Sequence, residues 1–494
     1  MRAIQTIEPN PEHLIKSIAE QGYTLETAVA DLIDNSISAA ATKIEIVVNW
    51  DSEPFELFIA DNGNGMNLAH LIECMKIPSS SPEGKRKKSD LGRFGLGLKT
   101  ASFSQTRLFS VLSREGEEGD FKSVTWDVEH LKTTGKWELI IDDANYLNEN
   151  LNTYRKLSKS YLSSMEGFNA NTIILWKGLY KYEQYLEKEN SKRALKEDLS
   201  EIMKKHLELV FHRFMEDKDN PLKIRVNNRI LTPFNPFPNE RDVRLIEDKQ
   251  KLFQGESITI QGHILPARSI DESLNNSCIW SQSQKNLMDL EGLYWYRGNR
   301  VILYGGWNGL VKKSSKYKLA RLKIDVGNSI DHLIHLNVAK SKIKIPYDLQ
   351  KPFKNYVVEV CQEAKRELYN RGLNKFKVKS SKKDLNIFSK IATNKGVILE
   401  FNQDHPILKN FYDSLSDAQK LKYSIIQRMI SVKINKIRKA HEQEDFEYLE
   451  SPLNLSVNEI IQNIEELRKL GFDKKQITVS FIQELGLNVN TLPL

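Results

Sequence analysis

The chain has 494 residues, 40% hydrophobic and 28% charged, which is the usage of a globular protein long enough for about three domains. Its formal charge of +7, from 72 basic and 65 acidic residues, permits nucleic-acid binding without requiring it. No apolar run approaches membrane-spanning length and the start has no signal-peptide pattern, so we expect a cytoplasmic protein with no membrane partner.

A carboxylate and a carboxamide share one face of the first long predicted helix. Apolar residues recur at spacings of three and four between Thr24 and Ala40, which predicts an amphipathic helix. Asp31 and Asn35 are four residues apart and therefore lie one above the other. The carboxylate could orient or deprotonate an attacking water, and the amide oxygen suits Mg²⁺. Taken alone, the same spacing is also that of two solvated surface residues.

A buried strand followed by two glycines forms the second segment. The apolar run Phe55–Ala60 follows another strand candidate, Lys43–Trp50, and ends at Asp61. At the strand end the Asp61 carboxylate could accept a hydrogen bond from an exocyclic amine such as adenine N6. Gly63 and Gly65 would let the backbone approach a flat ring, and an ordinary hairpin turn is the alternative.

A glycine-rich stretch, residues 92–97, precedes a short predicted helix, Leu98–Ser102. Successive backbone N–H groups at a helix start form an anion-binding nest, and Lys99 could add a point charge to bound phosphates. The charged, turn-forming segment Pro78–Lys88 predicts a mobile lid. The spacing fits neither a Walker A loop nor a dinucleotide fingerprint. Because the three segments follow one another within a hundred residues, we expect a pocket for ATP and Mg²⁺.

The three segments resemble the N, G1 and G2 boxes of the GHKL superfamily, which contains gyrase B, the heat-shock chaperone ATPases, histidine kinases and MutL. The stretches Gly22–Ser36 and Gly92–Thr100 look most similar to the MutL and MORC branch, especially its prokaryotic MORC-like members. The resemblance implies an α+β protein with a Bergerat-type ATP-binding α/β sandwich, an α+β transducer domain and a mostly helical C-terminal region.

By this resemblance, Asn35 coordinates Mg²⁺, Asp61 binds adenine and Asp31 is the catalytic base. The other residues implied to contact the nucleotide are Gly63, Gly65, Met66, Gly92, Arg93, Phe94, Gly95, Leu96, Gly97 and Lys99. Thr172 resembles a late strand threonine that supports the adenine-binding aspartate through water, and a β-branched residue in a buried strand is the alternative. The family usually has Glu at the place of Asp31. Because Asp is one methylene shorter, slow hydrolysis, or binding with little hydrolysis, stays open.

A second α+β domain is predicted after a long charged helix over Tyr180–Asp217. Its hairpin candidates include Lys223–Leu231, with an Asn-Asn turn, and a second one turning at Gly298–Asn299. In the transducer domain that the resemblance implies, one lysine reaches back to the γ-phosphate, and Lys340 matches it. The alternative is that Lys340 lies with its neighbouring lysines on one solvated strand face.

The predicted organisation has five parts. Residues 1–180 form the ATP-binding domain, 181–218 the connecting helix, 219–374 the transducer-like domain, 375–384 a basic linker and 385–494 a helical C-terminal domain. In this last part the amphipathic stretches Leu421–Glu444 and Asn458–Leu470 predict helices that form either a small core or a partner surface.

These patterns and the resemblance favour an ATP-operated dimeric clamp or switch. ATP binding would close two copies into a homodimer, and hydrolysis would release them. The MORC and MutL resemblance points to DNA, bound nonspecifically through basic segments, and to anti-phage defence with other defence-system subunits. Two alternatives stay open: a chaperone-like ATPase on protein clients, and a non-hydrolysing ATP sensor or scaffold in a larger complex.

Overall fold

The computed structural model describes residues 9–20, 22–79, 96–159, 165, 167–185, 187–253, 256–274, 279–282, 285–327, 343–379, 387–393, 396–443, 461, 464–465, 467–468 and 472–478. The fold is α+β, as predicted. The chain divides into two compact units, Met1–Glu367 and Leu368–Leu494. Within the described residues, no helix combines the length and the apolar character that crossing a bilayer demands.

Helices and strands alternate over the first part of the first unit. They are α1 (Pro11–Ala19), α2 (Leu25–Ser38), β1 (Lys43–Asn49), β2 (Glu56–Asp61), α3 (Leu68–Met75), α4 (Gly97–Phe103), β3 (Thr106–Ser113), β4 (Lys122–Asp127), α5 (Val128–Thr134), β5 (Ile140–Ile141), α6 (Ala144–Lys159) and β6 (Thr172–Leu179). The helix α2 begins where the Thr24 N–H donates to Thr27 Oγ1 at 3.0 Å. This contact satisfies one backbone donor at the helix start.

The first sheet is covered on both faces. Its strand order is β5-β4-β3-β6-β2-β1-β7-β8, in which β7 is Lys223–Val226 and β8 is Arg229–Ile230. Every residue of β2 is buried. Leu57 and Ile59 pack in the core that includes α1 and α2, whereas Phe58 and Ala60 pack with residues of α6 on the other face. The result is the α/β sandwich expected for the N-terminal part of the chain.

The hairpin predicted at Lys223–Leu231 forms, but it joins the first sheet. Asn227 and Asn228 adopt φ of 41° and 66°, the left-handed values that a two-residue hairpin turn requires. The strand β7 pairs with β1 in parallel, so the edge of the sheet comes from residues far along the chain. Sequence periodicity identifies a strand, but it carries no information about which sheet the strand enters.

A buried ion pair ties β7 to β1. The side chains of Glu45 and Arg225 are both fully buried and form a salt bridge across the two strands. Tyr154 and Ser158, on α6, donate hydroxyl hydrogen bonds to Glu45 Oε2 at 2.9 and 2.6 Å. The Glu45 carboxylate therefore has partners from both a strand and the covering helix, as a buried charge requires.

Several short helices replace the single helix predicted over Tyr180–Asp217. They are α7 (Tyr180–Glu183), α8 (Lys188–Glu197), a π-helical turn (Asp198–Met203), α9 (Lys204–Val210) and α10 (His212–Met215). Leu195, Leu199, Met203, Leu207 and Val210 bury one side of this series against the first core. Of the apolar stripe predicted for this helix, Leu207 and Val210 are buried but Ile202 is 47% exposed, and the breaks in the helix left no periodic signal.

A second sheet follows in the same unit. Its strands and the neighbouring helices are β9 (Arg244–Leu245), β10 (Lys249–Phe253), β11 (Glu256–Ile264), α11 (Ser269–Leu274), β12 (Gly292–Arg297), β13 (Arg300–Tyr304), β14 (Ala320–Val326) and α12 (Tyr347–Lys379), of which α12 continues past Glu367, where the first unit ends. The strand order is β10-β11-β14-β12-β13, with β9 beside β11. The hairpin predicted to turn at Gly298–Asn299 is confirmed, with Gly298 at φ 59°. The helix α12 continues into the segment predicted as a basic linker.

The second unit contains a β-hairpin that the sequence did not predict. Its elements are β15 (Phe388–Thr393), β16 (Gly396–Phe401), α13 (Pro406–Ser414), α14 (Asp417–Gln443) and α15 (Lys474–Ile477). The helix predicted at Leu421–Glu444 corresponds to α14, and apolar side chains such as Leu421, Ile425 and Met429 are exposed on it. The helix predicted at Asn458–Leu470 lies largely outside the described residues.

Candidate nucleotide-binding site

Asp61 stands at the end of β2 with its carboxylate held from two sides. Asp61 as a whole is only 6% exposed. Ser36 Oγ, on α2, donates to Asp61 Oδ2 at 2.7 Å, and the Gly63 N–H donates to Oδ1 at 2.9 Å. Burial raises the pKa of Asp61, and these two donors oppose the rise. The carboxylate is thus oriented and desolvated, and each oxygen keeps acceptor capacity for a donor such as an exocyclic amine.

Thr172 lies directly opposite Asp61 in the pairing of β2 with β6. Its Oγ1 is 2.9 Å from Ser113 Oγ, on β3. The Met66 N–H donates to the same Ser113 hydroxyl at 2.9 Å, which ties the loop after β2 to β3. The predicted residues Asp61, Met66 and Thr172 therefore lie around one end of the sheet, and the serine that links two of them was missed by the sequence reasoning.

The two glycines after Asp61 are required by close contacts within the protein. A Cβ on Gly63 would lie 2.8 Å from the Ala39 carbonyl oxygen. At Gly65 the backbone φ is 69°, and a Cβ would lie 1.7 Å from the Arg114 carbonyl oxygen. Asn171 Nδ2 donates to the Gly63 carbonyl at 2.8 Å. Packing alone thus explains both glycines, so contact with a flat ring is a further role that stays proposed.

The Asp31 carboxylate is nearly buried and is held at both oxygens. Tyr23 OH donates to Oδ2 at 2.8 Å, and Arg300 Nη2 approaches Oδ1 at 3.4 Å. Burial, followed by the charge of Asp31, raises the pKa of Tyr23, so the phenol remains a donor. Asn35, one turn further along α2, is half-buried. Its side chain has no hydrogen-bond partner in the part of the chain that the structure describes.

Arg300 contacts this site, although no pattern in the sequence points to it. It begins β13, in the second sheet, and is 5% exposed. Its Nε lies 2.7 Å from Asp34 Oδ1, so one guanidinium approaches two carboxylates of α2. An arginine after a hairpin turn has no local sequence pattern that marks it as a site residue. Only folding brings Arg300 to Asp31, which is 269 residues away in the chain.

The third predicted segment is described from Leu96 onward. Gly97 begins α4, and a Cβ there would meet no atom within 4 Å. Thr100 hydrogen-bonds to Tyr23, which links α4 to the phenol that holds Asp31. The start of α4 therefore lies near α2, which carries Asp31 and Asn35. A helix N-terminus that binds phosphates would need to lie near those two residues. Gly92, Arg93, Phe94 and Gly95 lie outside the described residues, as does Lys340.

Lys99 is placed differently from a lysine that extends into an open pocket. It is 2% exposed, and its Nζ donates to the Cys74 carbonyl at 2.8 Å and to Ser79 Oγ at 3.2 Å. The carbonyl belongs to the last turn of α3, where a cation is favourable. Burial lowers the pKa of Lys99 to about 8. Its positive charge is thus costly in this environment.

The donors available for Mg²⁺ are hard oxygens. No group of three or more His, Cys, Asp or Glu side chains forms a metal cage within the described ranges. In proteins, Mg²⁺ usually keeps several waters and is bound through one or two protein oxygens together with substrate phosphates. The half-buried carboxamide of Asn35, beside Asp31, is such a donor.

Comparison with known proteins agrees with this geometry. Residues 23–158 match a family model described as histidine kinase-, DNA gyrase B-, and HSP90-like ATPase. The matched region begins at Tyr23, ends in α6 and includes Asp31, Asn35 and Asp61. Residues 23–158 therefore match a GHKL-type ATPase domain, a class that binds ATP. No curated protein matches the chain.

Proposed function

We propose that this protein is a Mg²⁺-dependent ATPase of the MORC and MutL type, which uses ATP to switch between two arrangements. The observation that carries the proposal is the Asp61 carboxylate, which is buried at a strand end and oriented by Ser36 and Gly63 inside the matched domain. A buried carboxylate that can accept a further hydrogen bond is suited to a bound molecule that carries a hydrogen-bond donor. The exocyclic amine of adenine supplies one.

The remaining groups are proposed to act around the triphosphate. Backbone N–H groups at the start of α4, with those of residues 92–96, would bind the phosphates together with Lys99. Asn35 would hold Mg²⁺, and this ion would neutralise phosphate charge. Asp31 would accept a proton from a water that attacks the γ-phosphorus, so that the bond to the ADP oxygen breaks and phosphate leaves.

The wider role is proposed from two exposed features of the surface. Lys312 and Lys313 are exposed, and together with other basic segments they could contact DNA phosphates. Exposed apolar side chains on α14 offer an apolar surface to a second copy or another subunit. We therefore propose a homodimer that closes on ATP and acts with DNA, in a defence setting. Lys340 would sense the γ-phosphate from the second domain.

A non-hydrolysing ATP sensor is the second candidate, and Asp31 favours it. The side chain is one methylene shorter than the glutamate usual in the family, so it reaches less far toward an attacking water. This candidate predicts ATP-dependent change in oligomeric state without turnover.

The test measures ATP turnover and oligomeric state with and without duplex DNA. We expect wild type to hydrolyse ATP, and Asp31→Asn to retain ATP binding while its turnover falls about 10²–10⁴-fold, which is the usual contribution of a general base. Asn35→Ala should lose the Mg²⁺ dependence of binding. Binding without turnover in wild type would favour the sensor, and stimulation by unfolded protein rather than DNA would favour a chaperone-like ATPase.

A further inference from the structure

We infer that Arg300 is a positioning residue for Asp31, through which the second sheet sets the orientation of the carboxylate in the nucleotide site. The inference rests on the proposed function, in which Asp31 acts on the attacking water. Arg300 belongs to neither the matched domain nor the predicted site. It acts on the protein carboxylate and not on the nucleotide phosphates.

One planar guanidinium bridges two carboxylates of α2. Arg300 Nε is 2.7 Å from Asp34 Oδ1, and Nη2 is 3.4 Å from Asp31 Oδ1. The side chains of Arg300, Asp34 and Asp31 are 6%, 1% and 5% exposed, so water screens their charges little. Because the two nitrogens belong to one rigid group, the guanidinium fixes the position of one carboxylate relative to the other.

The two contacts differ in kind. The guanidinium forms an ion pair with Asp34 at 2.7 Å, and its Nη2 donates a hydrogen bond of 3.4 Å to Asp31, whose second oxygen is held by Tyr23 at 2.8 Å. The Asp31 carboxylate is thus held between the phenol of Tyr23, eight residues earlier in the chain, and the Arg300 guanidinium from β13. A general base is sensitive to such placement, since displacement of about 1 Å can cost a hundredfold in rate.

The contact also makes the orientation depend on the second sheet. Arg300 pairs with Arg297 of β12, and β12 pairs along its length with β14. The guanidinium lies 5.8 Å from the ring centroid of Phe211, between α9 and α10. A movement of β13 relative to α2 would therefore shift the Arg300 guanidinium and with it the Asp31 carboxylate. Conversely, a nucleotide that favours one position of the Asp31 carboxylate would favour the corresponding position of β13.

The test uses the full chain with Arg300→Gln, Arg300→Lys and Asp34→Asn. Arg300→Gln should lower kcat at least about tenfold, while the Kd of a non-hydrolysable ATP analogue changes less than about threefold. Arg300→Lys should recover little, because a single ammonium cannot bridge two carboxylates in the same way. In an Asp31→Asn background, Arg300→Gln should cause no further loss, since both changes remove the same interaction.

The matched control is Arg268→Gln. Arg268 also bridges carboxylates, those of Glu240, Asp242 and Glu272, but it does so next to α11 and is 41% exposed. Its replacement should leave kcat and Kd unchanged. Unchanged kcat in folded Arg300→Gln, or losses that multiply in the Asp31→Asn background, would overturn the inference.

Absence of ATP hydrolysis in wild type would contradict the proposed catalytic role of Asp31. The restraint that Arg300 places on α2 can still be measured in that case, because it does not require turnover. Amide hydrogen exchange of nucleotide-free protein compares α2 with the β12–β13 hairpin. Arg300→Gln and Asp34→Asn should each raise exchange in both elements, whereas Arg268→Gln should raise it in neither. Unaltered exchange in α2 would show that Arg300 does not restrain this helix.

Discussion

Two buried residues of the candidate site, Asp61 and Lys99, take their charged forms only at a cost in free energy of folding. Burial raises the pKa of the Asp61 carboxyl and lowers the pKa of the Lys99 ammonium to about 8, so both charged forms are disfavoured in the absence of ligand. Hydrogen bonds to Asp61 from Ser36 and Gly63 recover part of this cost. A nucleotide with a donor on its base and negative charge on its phosphates would complement both residues.

The Lys99 shift predicts a pH dependence of stability. Between pH 8 and 10.5 the unfolded chain, with the ordinary pKa of 10.5, binds more protons at this lysine than the folded protein does. The free energy of unfolding should therefore rise with pH across this window in wild type, relative to Lys99→Met. Urea unfolding of both proteins across the window measures the difference, and parallel curves would contradict the assigned environment of Lys99.

At the level of elements, the segments that the sequence predicted best are those whose chemistry is local. The helix α2, the end of β2 and the start of α4 each carry their own periodicity or glycine pattern. The sheet that receives β7, the breaks between α7 and α10, and the approach of Arg300 to α2 depend on residues distant in the chain. Periodicity shows which face of an element is buried, but not what covers it.

The loop after β2 provides an element-scale test with a matched control. Gly65 and Gly116 have φ of 69° and 68°, but a Cβ would meet the Arg114 carbonyl only at Gly65 and nothing within 4 Å at Gly116. Gly116→Ala should cost about 1–2 kcal/mol for the left-handed backbone. Gly65→Ala should cost about 1–3 kcal/mol more because the loop must move. Chemical unfolding measures both values, and equal costs would contradict the close packing.

At the scale of the whole molecule, residues well beyond the matched domain complete its sheet. The matched region ends at residue 158, whereas Arg225 of β7 neutralises Glu45 in the interior of the first sheet. Sequence reasoning placed the hairpin at 223–231 correctly and assigned it to the second domain, because no local pattern links Arg225 to Glu45. The first sheet therefore includes two strands from beyond residue 180.

Removing Arg225 should be among the costliest single changes in the first unit. Arg225→Met leaves the buried Glu45 charge without its cation, which we expect to cost about 3–5 kcal/mol in chemical unfolding. Adding Glu45→Gln removes the charge and keeps an acceptor for Tyr154 and Ser158, so the double variant should recover much of the loss.

The control for this pair is the exposed one between Arg244 and Glu363. Arg244 is 48% exposed, so Arg244→Met should cost no more than about 1 kcal/mol. Similar costs at Arg225 and Arg244 would contradict the buried pairing of β1 with β7.

Calorimetric titration of Mg²⁺-ATP into the folded full-length protein tests the nucleotide site most directly. Wild type should bind, and Asp61→Asn should bind about 10–100-fold more weakly, because a charge-assisted hydrogen bond contributes about 1.5–3 kcal/mol. Asp142→Asn is the matched control: this aspartate also accepts two hydrogen bonds, from the hydroxyls of Ser123 and Thr125, and burial raises its pKa, but it follows the edge strand β5 whereas Asp61 ends the inner strand β2. Its affinity should equal that of wild type. No detectable binding by wild type, or equal affinity in Asp61→Asn, would contradict the account.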